Sequence, residues 1–219
     1  MSQIDELFGA IRRNELARVA ALLDGEPTLA RARKDGASAV LFARYCGRHD
    51  IVVLIRRRVS ALDVFEACAL GDTERLAALL DADPALVNAV AEDGFGPLGL
   101  ASFFDHEPAA RLLLSRGARV DQASANGMRV MPLHSAAAAR SVPIARLLLE
   151  RSAPVNARQG EGGGFTPLME AALNGQMDLI ELLLAFGADR TLRDGEGRSA
   201  ADHARSRGHE DAARYLGPG

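Results

Sequence analysis

The chain is poor in the residue types that most small-molecule and metal chemistry relies on. It has no tryptophan, and aromatics make up only 5% of its 219 residues. Its two cysteines, Cys46 and Cys68, lack the spacing of a metal knuckle. Such usage fits a reducing compartment and supplies no disulfide framework. There is no basic excess, since the formal net charge is −3, so no nucleic-acid partner is expected. No apolar run approaches the roughly 20 residues that cross a bilayer, and no membrane partner is expected. The opening Met1-Ser2-Gln3-Ile4-Asp5-Glu6 is polar and acidic, without the basic region and apolar run of a secretory signal. A cytoplasmic location is the expectation. The closing Gly217-Pro218-Gly219 cannot extend a helix and reads as a frayed end.

What remains is an ordinary soluble composition, 48% apolar and 25% charged, dominated by Ala, Leu, Arg and Gly. Ala and Leu are strong helix formers. They recur in a fixed order. Phe165-Thr166-Pro167-Leu168-Met169-Glu170-Ala171-Ala172 is followed by Leu182-Leu183-Leu184. The same order appears at Met131-Pro132-Leu133-His134-Ser135-Ala136-Ala137 with Leu147-Leu148-Leu149, and at Gly96-Pro97-Leu98-Gly99-Leu100-Ala101-Ser102 with Leu112-Leu113-Leu114. Weaker copies run over Leu7–Leu23, Ser38–Ile55, Leu62–Leu80 and Ser199–Leu216. The position that ends the first helix of each copy falls at Asn14, Gly47, Gly71, Asp105, Arg140, Gly175 and Gly208, in steps of 33, 24, 34, 35, 35 and 33.

The order has a physical logic. A Thr or Ser before Pro caps free backbone amides, and proline loses no hydrogen bond in the first turn. Paired small residues let neighbouring helices approach. Gly or a substitute breaks the first helix. A second helix follows with apolar residues at helical spacing, as in Leu179, Ile180, Leu182, Leu183 and Leu184. One such helix pair cannot bury its apolar face alone, so the pairs must stack into a solenoid with a continuous core.

The sequence Thr-Pro-Leu-x-x-Ala-Ala, Gly, Leu-Leu-Leu, Gly-Ala-Asp resembles the ankyrin repeat. The resemblance covers roughly Ile4 to Leu216 and is sharpest in repeats four to six. It implies an all-α solenoid of about seven helix-turn-helix units with degenerate terminal caps. The approximate units are 1–33, 34–61, 62–91, 92–126, 127–161, 162–194 and 195–219, read as one domain, 1–219.

Some features depart from the pattern. The step of 24 leaves Ile55-Arg56-Arg57-Arg58-Val59-Ser60-Ala61 in place of the usual turn and finger, so the stack should bend there. Arg44 occupies a small-residue position, so its unit should be locally irregular. Extra residues within Asp121–Arg129 and Asn156–Gly164 read as surface variation. Leu-Leu-Asp-x-x-Pro-x-Leu, at Leu22–Leu29 and Leu79–Leu86, marks a longer connector.

Little points to catalysis. The five histidines are scattered. His134 stands at the family's Thr-Pro-Leu-His position and resembles a structural hydrogen-bonding residue. His106 and His209 read as turn residues, and His49 and His203 match no ligand spacing. Cys68 occupies a small buried position, and Cys46 is the more exposed thiol. Gly160-Glu161-Gly162-Gly163-Gly164 lacks the Lys-Ser/Thr of a phosphate loop and reads as a finger. Arg56-Arg57-Arg58 reads as a solvated helix end. No catalytic residue, metal site or cofactor is expected, and the chain is not expected to be an enzyme.

The resemblance implies that a protein or peptide partner contacts finger tips and the concave face of the first helices. The matching positions include Tyr45, Phe95, Phe103, Phe104, Phe165, Leu173 and Asn174, with Ala138-Ala139 forming a shallow floor. Five of the ten aromatics fall there, and exposed aromatics are enriched at interaction hot spots. The expected function is therefore a protein-interaction module, monomeric or weakly self-associating. The alternative is a small-molecule binder or enzyme with a site near residues 44–49 and 103–106, built from Arg44, Tyr45, Cys46, His49 and His106.

Overall fold

The computed structural model describes residues 2–160 and 164–217. Helices occur in consecutive pairs: α1 (Gln3–Arg12) with α2 (Leu16–Gly25), α3 (Ala39–Tyr45) with α4 (His49–Arg56), and α5 (Val64–Leu70) with α6 (Thr73–Ala82). The series continues with α7 (Pro97–Phe103) and α8 (Glu107–Ser115), α9 (Pro132–Ala138) and α10 (Val142–Leu149), α11 (Pro167–Leu173) and α12 (Met177–Ala185), and α13 (Ala200–Ser206) and α14 (Glu210–Leu216). The odd-numbered inner helices stack on one another from α1 to α13. Among the described residues the only sheet is a hairpin of β1 (Arg33–Lys34) and β2 (Ala37–Ser38), and later fingers carry isolated bridges at Gln159–Phe165 and Arg193–Ser199. The result is an all-α solenoid.

Local chemistry sets the register. Thr166 Oγ1 accepts a hydrogen bond from the Met169 amide, and Ser38 and Ser199 cap α3 and α13 in the same way. Proline fills the first turn of α7, α9 and α11. Each inner helix then ends on a residue with positive φ: Asn14 (62°), Gly47 (67°), Gly71 (70°), Asp105 (58°), Arg140 (60°), Gly175 (65°) and Gly208 (76°). One left-handed residue therefore turns the chain back at the same place in every pair. The turns between units are tied by a repeated amide clamp. Asn88 accepts from the Arg119 amide and donates to Gly117 O, and Asn156 does the same with Asp189 and Gly187. The longer connectors close as short 3-10 turns at Pro27–Arg31 and Pro84–Asn88.

The short step has a structural counterpart. The chain between α4 and α5 carries no hairpin. The outer helices pair as α2 on α4, α6 on α8, α8 on α10 and α10 on α12, but α4 and α6 have no comparable packing, nor do α12 and α14. The core divides at the same point. Leu7, Ile11, Leu23, Ile51 and Ile55 fall in one cluster, while Leu62, Leu76 and the core of the later units fall in the other, which Ala37 and Leu41 also join. The arginine run is not a freely solvated end. Arg56 reaches Asp72 at 3.6 Å, and Arg58 pairs with Asp24 at 2.6 Å, so it ties α4 to the helices on either side.

Two further expectations need correction. Helix α3 is regular despite Arg44, because the guanidinium reaches to the end of the neighbouring α5, where its Nε donates to Ala69 O at 3.1 Å. The segment Asp121–Arg129 is more than surface variation. The Ala125 amide donates to Gly94 O at 2.8 Å and Asn126 Nδ2 to Asp93 O at 2.8 Å, which locks this finger to its neighbour. Of the glycine-rich finger, Glu161–Gly163 lie outside the described residues.

Candidate functional site

The fingers and the inner helices enclose an elongated groove of about 560 Å³. The inner helices contribute Phe42, Tyr45, Leu100, Phe103, Ser135, Ala138 and Glu170. The fingers contribute Asp35, Asp93, Phe95, Asn126, Met128 and Gln159. The lining is largely apolar, and Phe103 and Met128 are 44% and 52% exposed, an unfavourable arrangement for an isolated chain in water.

Tyr45 organises the aromatic end. Its ring lies 6.5 Å from Phe95, 6.4 Å from Phe103 and 5.5 Å from Phe104, and Phe103 and Phe104 meet edge to face at 5.1 Å. These are favourable aromatic separations. The phenol donates to Asp93 Oδ2 at 3.0 Å, which fixes the ring. Burial and the adjacent Asp93 carboxylate push the phenol pKa far up, so it remains a donor.

Of the residues singled out in the sequence, Tyr45, Phe95 and Phe103 meet at the groove, and Ala138 forms part of its floor. Phe104 lies behind them, with the Arg44 guanidinium 4.7 Å from its ring centre. Phe165 turns the other way and packs edge-on against His203 at 4.7 Å. Leu173 and Asn174 do not line the groove, and Asn174 donates instead to Glu170 Oε1. Sequence reasoning missed Asp35, Asp93, Met128 and Glu170. The first three stand on fingers, where no helical periodicity marks the inward face. Glu170 stands on α11 one turn before the positions singled out there.

Of the residues of the alternative site, Tyr45 alone lines the groove. Arg44 Nε and His106 Nε2 both reach the same backbone oxygen, Ala69 O, each at 3.1 Å. Burial holds the His106 pKa below its ordinary value, with the Arg44 charge acting in the same direction and the Ala69 hydrogen bond opposing. His106 is therefore a neutral donor, and the remaining ring edge rests on Gly71. Cys46 and His49 do not line the groove.

The other histidines serve the scaffold. His134 is buried, and its Nδ1 accepts from the Met131 amide at 3.4 Å. Its Nε2 therefore carries the proton, donating to Ala157 O and Phe165 O at 3.1 and 3.2 Å. Burial lowers its pKa, which keeps the ring neutral. His203 Nε2 lies 2.9 Å from Asp194 Oδ2. Cys68 is buried, and burial pushes its thiol pKa far up, so it is a poor nucleophile. Among the described residues, no group of three His, Cys, Asp or Glu side chains could hold a metal ion, and no helix is long and apolar enough to cross a membrane.

A family model for ankyrin repeats, in 3 copies, matches residues 64–159 and 133–218. No curated protein matches the chain.

Proposed function

The chain belongs to the ankyrin repeat family, and from that premise we propose that it seats a protein or peptide segment in the groove between its fingers and inner helices. Ankyrin repeats are generally protein-interaction modules. The observation that carries the reading is the groove lined by the exposed Phe103 and Met128 together with the half-buried Tyr45 and Phe95. Burying it against a partner removes apolar surface from water, and aromatic anchors of this kind dominate interface energies. The net charge of −3 and the carboxylates along the groove argue against nucleic acid. The small-molecule or enzymatic alternative draws no support from Arg44 and His106, whose polar atoms are occupied by a backbone carbonyl. The chain acts as a monomer or weakly self-associating partner in the cytoplasm on this reading.

A photo-crosslinking amino acid at Phe103 tests it. Crosslinks to one protein from the source cell are expected at that position and not at Arg111, an exposed residue of the outer helix α8. Equal capture at both positions, or capture only at Arg111, overturns the concave-face reading.

A further inference from the structure

Carboxylates outnumber cations in the groove lining, and among the described residues none of these carboxylates is ion-paired. Three carboxylates line the groove: Asp35 at the turn of the β1–β2 hairpin, Asp93 in the next finger and Glu170 on α11. Ion pairs are frequent elsewhere on the chain, yet among the described residues none involves any of these three. The only cation in the lining, Lys34, is paired with Asp5. The hydrogen bonds that Asp93 and Glu170 accept come from neutral groups. Asp93 accepts from the Tyr45 hydroxyl and the Phe95 amide, and Glu170 from the Asn174 amide.

The wall beside Asp35 and Asp93 is aromatic, formed by Phe42, Tyr45, Phe95 and Phe103. Ring faces attract cations through their negative quadrupole, and a desolvated cation beside a carboxylate gains more than it does in water. The same chain already uses this contact internally, where Arg44 and Arg12 lie 4.7 and 5.6 Å from the Phe104 and Phe42 ring centres. Burial raises the Glu170 pKa, with the Asn174 hydrogen bond and the His203 charge opposing, and a cation beside it restores the charged form.

Building on the groove-docking reading above, we propose that the occupant is an extended basic segment of a partner protein, with lysine or arginine side chains seated against Asp93 and Glu170 and an apolar residue over Ala138 between them. Charge complementarity selects this occupant over a neutral or acidic one, which would leave two or more carboxylates desolvated without a cationic partner. Asp93 precedes α7 and Glu170 lies on α11, two inner-helix spacings further along the stack, or roughly 16–20 Å. An extended chain covers that span in about five or six residues, which sets the separation of the two basic positions.

The test is a selection of random peptides on the full chain from a display library, followed by synthesis of the enriched peptides and titration by fluorescence anisotropy. Isotope-labelled protein reports by NMR whether each peptide shifts the Phe103 and Met128 signals. The expected result is enrichment of paired Lys or Arg around an apolar residue. Replacing each Lys with norleucine should weaken binding about tenfold, and Asp93→Asn with Glu170→Gln should abolish that difference. The norleucine comparison uses the parent protein and is independent of how the variants fold. Groove-binding peptides that are neutral or acidic, or that tolerate norleucine, overturn the basic-segment inference and leave groove docking standing. Peptides that bind without shifting the groove signals, or a library that yields no binder, overturn both.

Discussion

The imidazole of His106 rests on Gly71 so closely that a Cβ at residue 71 would stand 2.5 Å from its Nδ1. His209 rests on Gly175 in the same way, with a Cβ again 2.5 Å from Nδ1. In both places the first residue of one unit's outer turn closes over the helix break of the unit before it. Gly71→Ala therefore carries two costs. Residue 71 has φ 70°, where an L side chain costs about 1–2 kcal/mol, and the displaced imidazole adds an overpacking cost of about 1–3 kcal/mol. Gly47 has φ 67° but open space around its Cβ position. Gly47→Ala should show the first cost alone. Urea denaturation of the two variants separates them, and equal losses would mean that His106 moves aside freely.

The converse holds at Arg140. It occupies the same left-handed position with φ 60°, is exposed, and contacts Asn174 only at 3.5 Å. Arg140→Gly should stabilise the chain by about 1 kcal/mol, because glycine relieves the backbone strain at the loss of one weak surface contact. A thermal melt that shifts downward would show that the arginine makes a contribution its geometry does not suggest.

The helix-break register was legible in the sequence even where glycine was replaced, because Asn14, Asp105 and Arg140 fall at repeat intervals from Gly47, Gly71, Gly175 and Gly208. All seven have positive φ. The aromatic end of the groove was legible for the same reason: Tyr45 and Phe103 sit at fixed offsets from the helix break. Phe165 was not. It shares its offset with Phe95, but the next unit supplies His203 as a packing partner. Met128 and Asn126 belong to an inserted finger outside the repeat register. Asp35 and Asp93 become groove residues only once the fingers fold over. Arg44 broke the small-residue rule without breaking the helix, because Ala69 O and the Phe104 face receive its guanidinium.

Leu148 and Leu183 are fully buried in the second helices of adjacent units. Truncation of either to alanine should cost about 2–5 kcal/mol, the sum of lost transfer energy and a residual cavity. Chemical denaturation measures it, and a cost near zero would mean that neighbouring repeats collapse into the space.

Stability should depend on pH through the buried histidines. Burial lowers the folded pKa of both His134 and His106. The unfolded chain takes up protons as pH falls below about 6.5, while the folded chain resists. The stabilising contribution is therefore complete above about pH 6.5 and is lost as pH falls through the folded values. The urea midpoint should be flat on the alkaline side and decline on acidification. His134→Gln should be less stable at neutral pH and show a shallower decline. A second loss should follow at lower pH. Burial alone would raise the pKa of Asp194, but the Arg198 and Glu196 amides and the Arg198 and His203 side chains hold it to about 2, from 3.8. That contribution is present above 3.8 and disappears as pH falls towards 2.

The two adjacent phenylalanines should separate by function. Phe103 is 44% exposed and lines the groove. Phe104 is half-buried, 5.5 Å from Tyr45 and under the Arg44 guanidinium. Phe104→Ala removes packing on both sides and should destabilise the fold by about 1–3 kcal/mol, less than a fully buried phenylalanine. Phe103→Ala removes an edge-to-face contact on an open wall, and should change stability by about 0.5–1.5 kcal/mol at most. Its effect should appear in binding, with a loss of about 2 kcal/mol or more, because a central aromatic anchor is exchanged for a methyl group. Arg56→Ala lies outside the groove and should change affinity little, since a peripheral charge acts mainly on association rate and salt dependence. The measurement is a titration of the crosslinked partner against the parent and the three variants, each first shown to melt cooperatively. If folded Phe103→Ala binds as tightly as the parent while Arg56→Ala binds weakly, the interaction surface lies at the break between α4 and α5 and not in the groove.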